Sequence, residues 1–142
     1  MNRPVGYTIL AVLLALMSLG CLAGVVWWPT SMPFAIELPI TMRVLSALQG
    51  IAGIAAAWSI WSYHRSAPEV YAVWAVVVLA NVIYDIVAVM PPLMRAVAQM
   101  AGAPEAIPAP PVGMLVVQVV IYGGILGLGY WYLTARRSPG EA

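Results

Sequence analysis

Asn81, Tyr84 and Asp85 stand at i, i+3 and i+4 in the stretch ANVIYDIV, inside an otherwise apolar run. On a helix these positions share one face. An aspartate at the centre of a membrane helix costs roughly 2.5–3.5 kcal/mol, and less toward the interface, so it should turn inward and find a partner. Two other apolar runs carry polar side chains that could meet it. Arg43, Ser46, Gln49, Gly50 and Gly53 read as one face of the second run, and Gln118 and Tyr122 are i, i+4 neighbours in the last. Antiparallel threading brings Asp85, Gln49 and Gln118 to similar depth, with Arg43 at the outer end of its run, able to reach inward. Arg43 is the expected ion-pair partner of Asp85, with Asn81, Gln49 and Gln118 around them. Such a cluster has two uses. Its members can satisfy one another across helices, at about 0.6 kcal/mol per hydrogen bond. Alternatively, they can hold a proton, a cation or a small polar ligand, as intramembrane carboxylates do in relays and transporters.

A second set of chemistry-bearing residues is the methionines. Met32, Met42, Met90, Met94, Met100 and Met114 fall on or near one side of the chain's threading, and Met90 and Met94 would share a helical face. Thioethers suit copper(I), but methionine is also an ordinary flexible apolar filler, and no histidine or second cysteine joins them. The expectation is no metal and no cofactor. One histidine, His64, rules out a bis-histidine haem within one chain, and zinc lacks its usual ligand set. No glycine-rich phosphate loop follows a strand. His64 follows Ser59, but no acid is placed to orient it, so a hydrolytic triad is not assembled. The lone Cys21 excludes an internal disulfide and dithiol redox chemistry. The chain reads as a non-enzyme.

The elements that must position these residues are transmembrane helices. Of 142 residues, 63% are hydrophobic and 8% charged; soluble domains run at about 25% charged. Lipid must therefore solvate most of the surface. Near-zero net charge leaves no basic face for nucleic acid. Four runs match the roughly 20 residues that span a bilayer as helix: 5–28, 42–63, 70–90 and 112–133. The twelve prolines fall outside all four, and Pro91 with Pro92 is expected to end the third. The expected fold is a single all-α domain, a mostly antiparallel four-helix membrane bundle. The tight turn HRSAPE makes the second and third helices neighbours.

The longest connection is 91–111. Its first half, PPLMRAVAQMAG, reads as a short surface helix with Met94, Val97, Ala98 and Ala101 toward lipid, and its second half, APEAIPAPP, as extended chain. Arg3, Arg65, Arg136 and Arg137 on one side outnumber Arg43 and Arg95 on the other, which favours cytoplasmic termini. Tyr7, Trp58, Trp61, Tyr63, Tyr71, Trp74, Tyr130, Trp131 and Tyr132 lie near that cytoplasmic side and read as an interfacial anchor belt. The segment LMSLGC only loosely matches a lipoprotein cleavage box, and the first apolar run exceeds the roughly 7–15 residues of a signal core, so it reads as a retained helix.

Small residues recur at i, i+4: Gly20 with Gly24, Ser46 with Gly50, Gly53 with Ala57, and Gly123 with Gly127. Such pairs let helix backbones approach. Most suit packing inside the bundle, and the GGILGLG face is the candidate contact between subunits. The opening RPVGYTIL resembles that of small bacterial membrane proteins of uncharacterised function, which share an arginine-proline start, a glycine and the TIL triplet; the resemblance implies a bacterial source and no activity. Two functions fit. One is a membrane accessory protein, a small subunit in the bacterial cytoplasmic membrane that packs against other membrane helices. The other is a small homo-oligomeric transporter or channel coupled to protons or cations through Asp85. Small multidrug exporters place an essential glutamate in their first helix, and here that helix has no acid.

Overall fold

The structure is a computed structural model that describes residues 4–26, 40–100, 102 and 112–135. Every regular element among them is helical. The elements are α1 (Val5–Val26), α2 (Ile40–Trp61), α3 (Ala67–Tyr84), a π-turn (Asp85–Val89), α4 (Met90–Met100) and α5 (Val112–Ala135). The helical run Ala67–Met100 is continuous over 34 residues, and four helices are long and apolar enough to cross a membrane. The chain is a multi-pass membrane protein by this architecture. At 1.5 Å per residue, a 22-residue helix such as α1 or α2 is about 33 Å long, close to the thickness of the hydrocarbon core.

The bundle is antiparallel. Tyr7, at the start of α1, stacks on Tyr63 just past the end of α2, with ring centroids 4.7 Å apart and planes at 15°. Its hydroxyl donates to the Leu133 carbonyl at the end of α5, at 3.2 Å. Tyr71, early in α3, lies against Gly129, late in α5. One end of the bundle therefore gathers the start of α1, the end of α2, the start of α3 and the end of α5; this is the turn end. The opposite one is the far end. Helix α1 packs on α2, α2 on α3, and α3 on α5.

The turn end owes its sharpness to the chain between α2 and α3. The Tyr63 amide donates to the Ile60 carbonyl at 3.2 Å, and the His64 amide to that of Ser59 at 2.9 Å. These two bonds make a Schellman closure, which wants a left-handed residue, normally glycine. Tyr63 fills that position with φ of 58°. A non-glycine residue there costs about 1 kcal/mol, and the stacked pair with Tyr7 returns roughly 0.5–1.5 kcal/mol. Beyond it, Pro68 sits in the first turn of α3, where its missing N–H leaves no bond unmade.

The third span differs from its sequence-based boundary of 70–90. Proline at 91 and 92 does not break it. A proline ring clashes with the carbonyl four residues back, which here belongs to Val87 and Ala88. Both lie in the π-turn, where the Met90 amide donates to the Asp85 carbonyl five residues back. The wider turn supplies i→i+5 pairing where the α-helical ladder would be interrupted. The segment after Pro92 is thus a continuation of the third span rather than a separate surface helix. Met94 and Val97 are exposed as expected, but Ala98 is buried. Residues 101 and 103–111, the remainder of that connection, lie outside the described residues, as does the segment 27–39.

Among the described residues the core is concentrated at the turn end. It comprises Tyr7, Ala11, Leu14, Ala56, Ala57, Ile60, Ala67, Tyr71, Trp74, Val78, Leu126 and Leu133. Tyr7, Tyr71 and Trp74 are therefore core residues and not members of an interfacial belt. Trp58, Trp61, Tyr63, Tyr130 and Trp131 are exposed, and could anchor at an interface. The rings are admitted by small residues opposite them. A Cβ added at Gly53 would meet Ser18 Oγ and, at 2.8 Å, Trp74 Nε1; one added at Gly50 would meet Leu22 and, at 3.1 Å, the Ser18 carbonyl. Ser18 itself is buried, its hydroxyl donating to the Leu14 carbonyl at 2.6 Å.

Candidate functional site: the polar face at the far end

The core stripe of α3 runs Ala67, Tyr71, Trp74, Val78, at alternating steps of four and three. Continuing the same steps gives Asn81 and Asp85. The two polar residues thus inherit the face that apolar residues occupy one and two turns earlier. Asn81 reaches α2: its Nδ2 donates to Gln49 Oε1 at 2.7 Å. Gln49 in turn precedes Gly53 by four and Ala56 by seven, which puts it on the packed face of α2.

The Asn81–Gln49 bond fixes the register of α2 against α3, so that Asp85 lies level with Leu45 and Ser46 lies level with Tyr84. The Tyr71–Gly129 contact similarly sets Gln118 of α5 level with Val82. Asn81, Asp85, Gln49 and Gln118 therefore share a level within about one helical turn. Sharing a level does not join them all. Asn81 Oδ1 and Asp85 Oδ1 are both buried without a hydrogen-bond partner. Gln118, Tyr84 and Ser46 are half-buried, while Tyr122 is exposed.

Arg43 does not pair with Asp85 among the described residues; its side chain is exposed. The reason is angular. Arg43 and Gln49 are six positions apart, so at 100° per residue they point about 120° apart around α2. A residue that faces α3, as Gln49 does, cannot share that direction with Arg43. The expectation that Arg43 shares one face of α2 with Gln49 therefore fails on the helical period.

The small-residue pairs separate in the same way. Gly50 and Gly53 are close-approach positions, whereas Gly20, Gly24, Gly123 and Gly127 have open space where a Cβ would stand. Two further close approaches lie outside the i, i+4 pairs: Gly6 beneath the Tyr132 hydroxyl, and Gly129 beneath that of Tyr71, so the last glycine of the GGILGLG face packs inside the bundle rather than facing outward with Gly123 and Gly127. Each lies at the turn end opposite a tyrosine. Met90 and Met94 are exposed one turn apart. His64 turns away from the Ser59 hydroxyl: its Nδ1 is 2.8 Å from Ser66 Oγ, and the Ser59 hydroxyl donates to the Ala56 carbonyl at 2.9 Å.

The chemistry open to this arrangement is that of hydrogen-bond acceptors. Two buried oxygens, one turn apart, lack donors beside a widened helical turn. π-Turns recur at functional sites because they redirect side chains and free backbone groups. Comparison with family models, curated proteins and solved structures finds no match for this chain.

Proposed function

We propose that this chain is a non-enzymatic accessory protein of the bacterial cytoplasmic membrane that works by packing against helices of a larger membrane complex. The observation that supports it is the surface of α5. Of its described residues, Leu126 and Leu133 join the buried core cluster and Tyr132 packs against it. Val116, Val117, Val120, Ile121, Ile125 and Leu128 are exposed, and Gly123, Gly124 and Gly127 stand open among them. Lipid chains gain nothing from a glycine groove that a helix could fill, since membrane helices associate through close packing rather than hydrophobic drive. Co-purification after mild solubilisation tests the reading. The expected result is a stoichiometric membrane partner that is lost with Gly123→Leu or Gly127→Leu, while the monomer's thermal unfolding is unchanged. Recovery of a clean homodimer alone would count against it.

The unpartnered Asp85 oxygen favours a second reading, a small oligomeric transporter or channel coupled to protons or cations. Its test is flux. Protein in liposomes under a pH gradient should move protons or a cation, and Asp85→Asn should abolish that movement without releasing the protein from the membrane. Absence of flux in the wild-type protein would remove this reading.

A further inference from the structure

Asn81 Oδ1 and Asp85 Oδ1 are two buried acceptors without donors, at i and i+4 on one helix face. Residues so spaced are surface neighbours, with Cβ atoms about 5–6 Å apart. Asn81 has a fixed orientation, because its Nδ2 is committed to Gln49 Oε1 at 2.7 Å. Its oxygen is therefore the end left over, and that end has only acceptor capacity. An ionised aspartate also has only acceptors to offer. Two acceptors cannot satisfy each other, and an unsatisfied buried acceptor is costly.

We infer that Asp85 and Asn81 form a proton-binding site, in which the Asp85 side chain is a neutral carboxylic acid whose O–H donates to Asn81 Oδ1. One hydrogen then answers both orphaned oxygens. It also completes a directed chain across two helices, from Asp85 to Asn81 to Gln49. The ligand is a bare proton rather than a metal ion, because one hydrogen answers both acceptors, whereas among the described residues no further buried oxygen is left without a donor and no cluster of metal-ligating side chains is present.

The charged and titratable groups around the site allow this. Arg43 of α2 points away, with its side chain exposed. Arg95 of α4 is ten positions along the helix and also exposed. Helix α5 offers Tyr122, itself exposed, and α1 contains no charged residue and brings Cys21 alone to this half. None of them supplies a hydrogen bond to either orphaned oxygen. A protonated Asp85 is independent of any membrane partner and of whether protons cross the membrane, so a failed flux assay leaves it standing.

Asp85 is the only aspartate in the chain, which permits a test without mutation. Protein grown with aspartate carrying carbon-13 at the side-chain carboxyl is reconstituted in liposomes and examined by infrared spectroscopy at neutral pH. The expected result is a protonated-carboxyl C=O band that shifts with the label and with heavy water. In Asn81→Val, checked for helicity by circular dichroism, the same band should move as its hydrogen bond is lost. Asp85→Asn should remove the band and keep the fold, because a carboxamide N–H can donate where the acid did. A labelled carbon that shows only carboxylate bands at neutral pH would overturn the proposal. An acid band indifferent to Asn81→Val would overturn the assignment of Asn81 as acceptor.

Discussion

The two ends of this bundle are built on the same helical stripes from different materials. At the turn end, α1 contributes Tyr7, Ala11 and Leu14, and α3 contributes Ala67, Tyr71 and Trp74, against Ala56, Ala57 and Ile60 of α2. Rings lie over glycines, and Tyr7 joins three helix ends through a stack, a tilted contact with Tyr132 and a hydrogen bond. At the far end the same stripes carry Asn81, Asp85 and Gln49. Among the described residues one interhelical side-chain hydrogen bond is made there, and two buried acceptors are left over. The difference teaches where stability and where responsiveness reside. In lipid, burying apolar surface gains little, so close packing holds the helices together, and packing is concentrated at the turn end.

That contrast can be broken in order of effect. The largest loss should come from Tyr7→Ala, which removes the ring from all three helix ends. The cavity term without much transfer term suggests about 2–3 kcal/mol, read as a fall in the midpoint of unfolding by denaturing detergent. Next is Gly53→Val, where the new side chain must displace the Ser18 hydroxyl and the Trp74 ring; overpacking of this kind costs about 1–3 kcal/mol. Tyr7→Phe, which deletes only the hydroxyl bonded to Leu133, should cost about 1 kcal/mol. The smallest stability effect belongs to the far end. Gln49→Leu removes the partner of Asn81 Nδ2 and should cost about 0.6 kcal/mol. A far-end substitution more damaging than Gly53→Val would dissolve the distinction between the two halves. Equal effects of Tyr7→Phe and Tyr7→Ala would place the strength in the hydrogen bond rather than in the ring.

Much of this was legible in the residues. Run length and sparse charge give four spans, and the short turn after Tyr63 makes α2 and α3 antiparallel. The common level of Asp85, Gln49 and Gln118 follows from threading alone. Direction around each helix was less visible. The rings of Tyr7, Tyr71 and Trp74 were assigned by depth to the membrane interface, although their spacing to Ala11, Ala67 and Val78 marks them as stripe residues. The same oversight paired Arg43 with Asp85. The prolines misled for another reason. Their power to end a helix depends on where the carbonyl four residues back lies, and a π-turn changes that without a signature in residue type. Gly6 carries no packing signal within its own helix, and Gly129, the last residue of the GGILGLG face expected at a subunit contact, instead meets Tyr71; each is matched to a tyrosine on another helix, so no pattern within its own helix reveals the fit.

The uninterrupted run from Ala67 to Met100 has a consequence for the membrane itself. Thirty-four residues of helix measure about 51 Å, against a hydrocarbon core of about 30 Å. Even at a tilt of about 40°, near the upper limit for membrane helices, a straight rod of that length rises about 39 Å along the bilayer normal. The last turns around Arg95 and Gln99 must then stand in the headgroup layer or above it. Hydrophobic mismatch would act on this one helix while its three shorter neighbours feel none. A thicker bilayer would draw α4 into the apolar zone and a thinner one would expel it, so the height of the far end reports the thickness of the membrane the protein occupies.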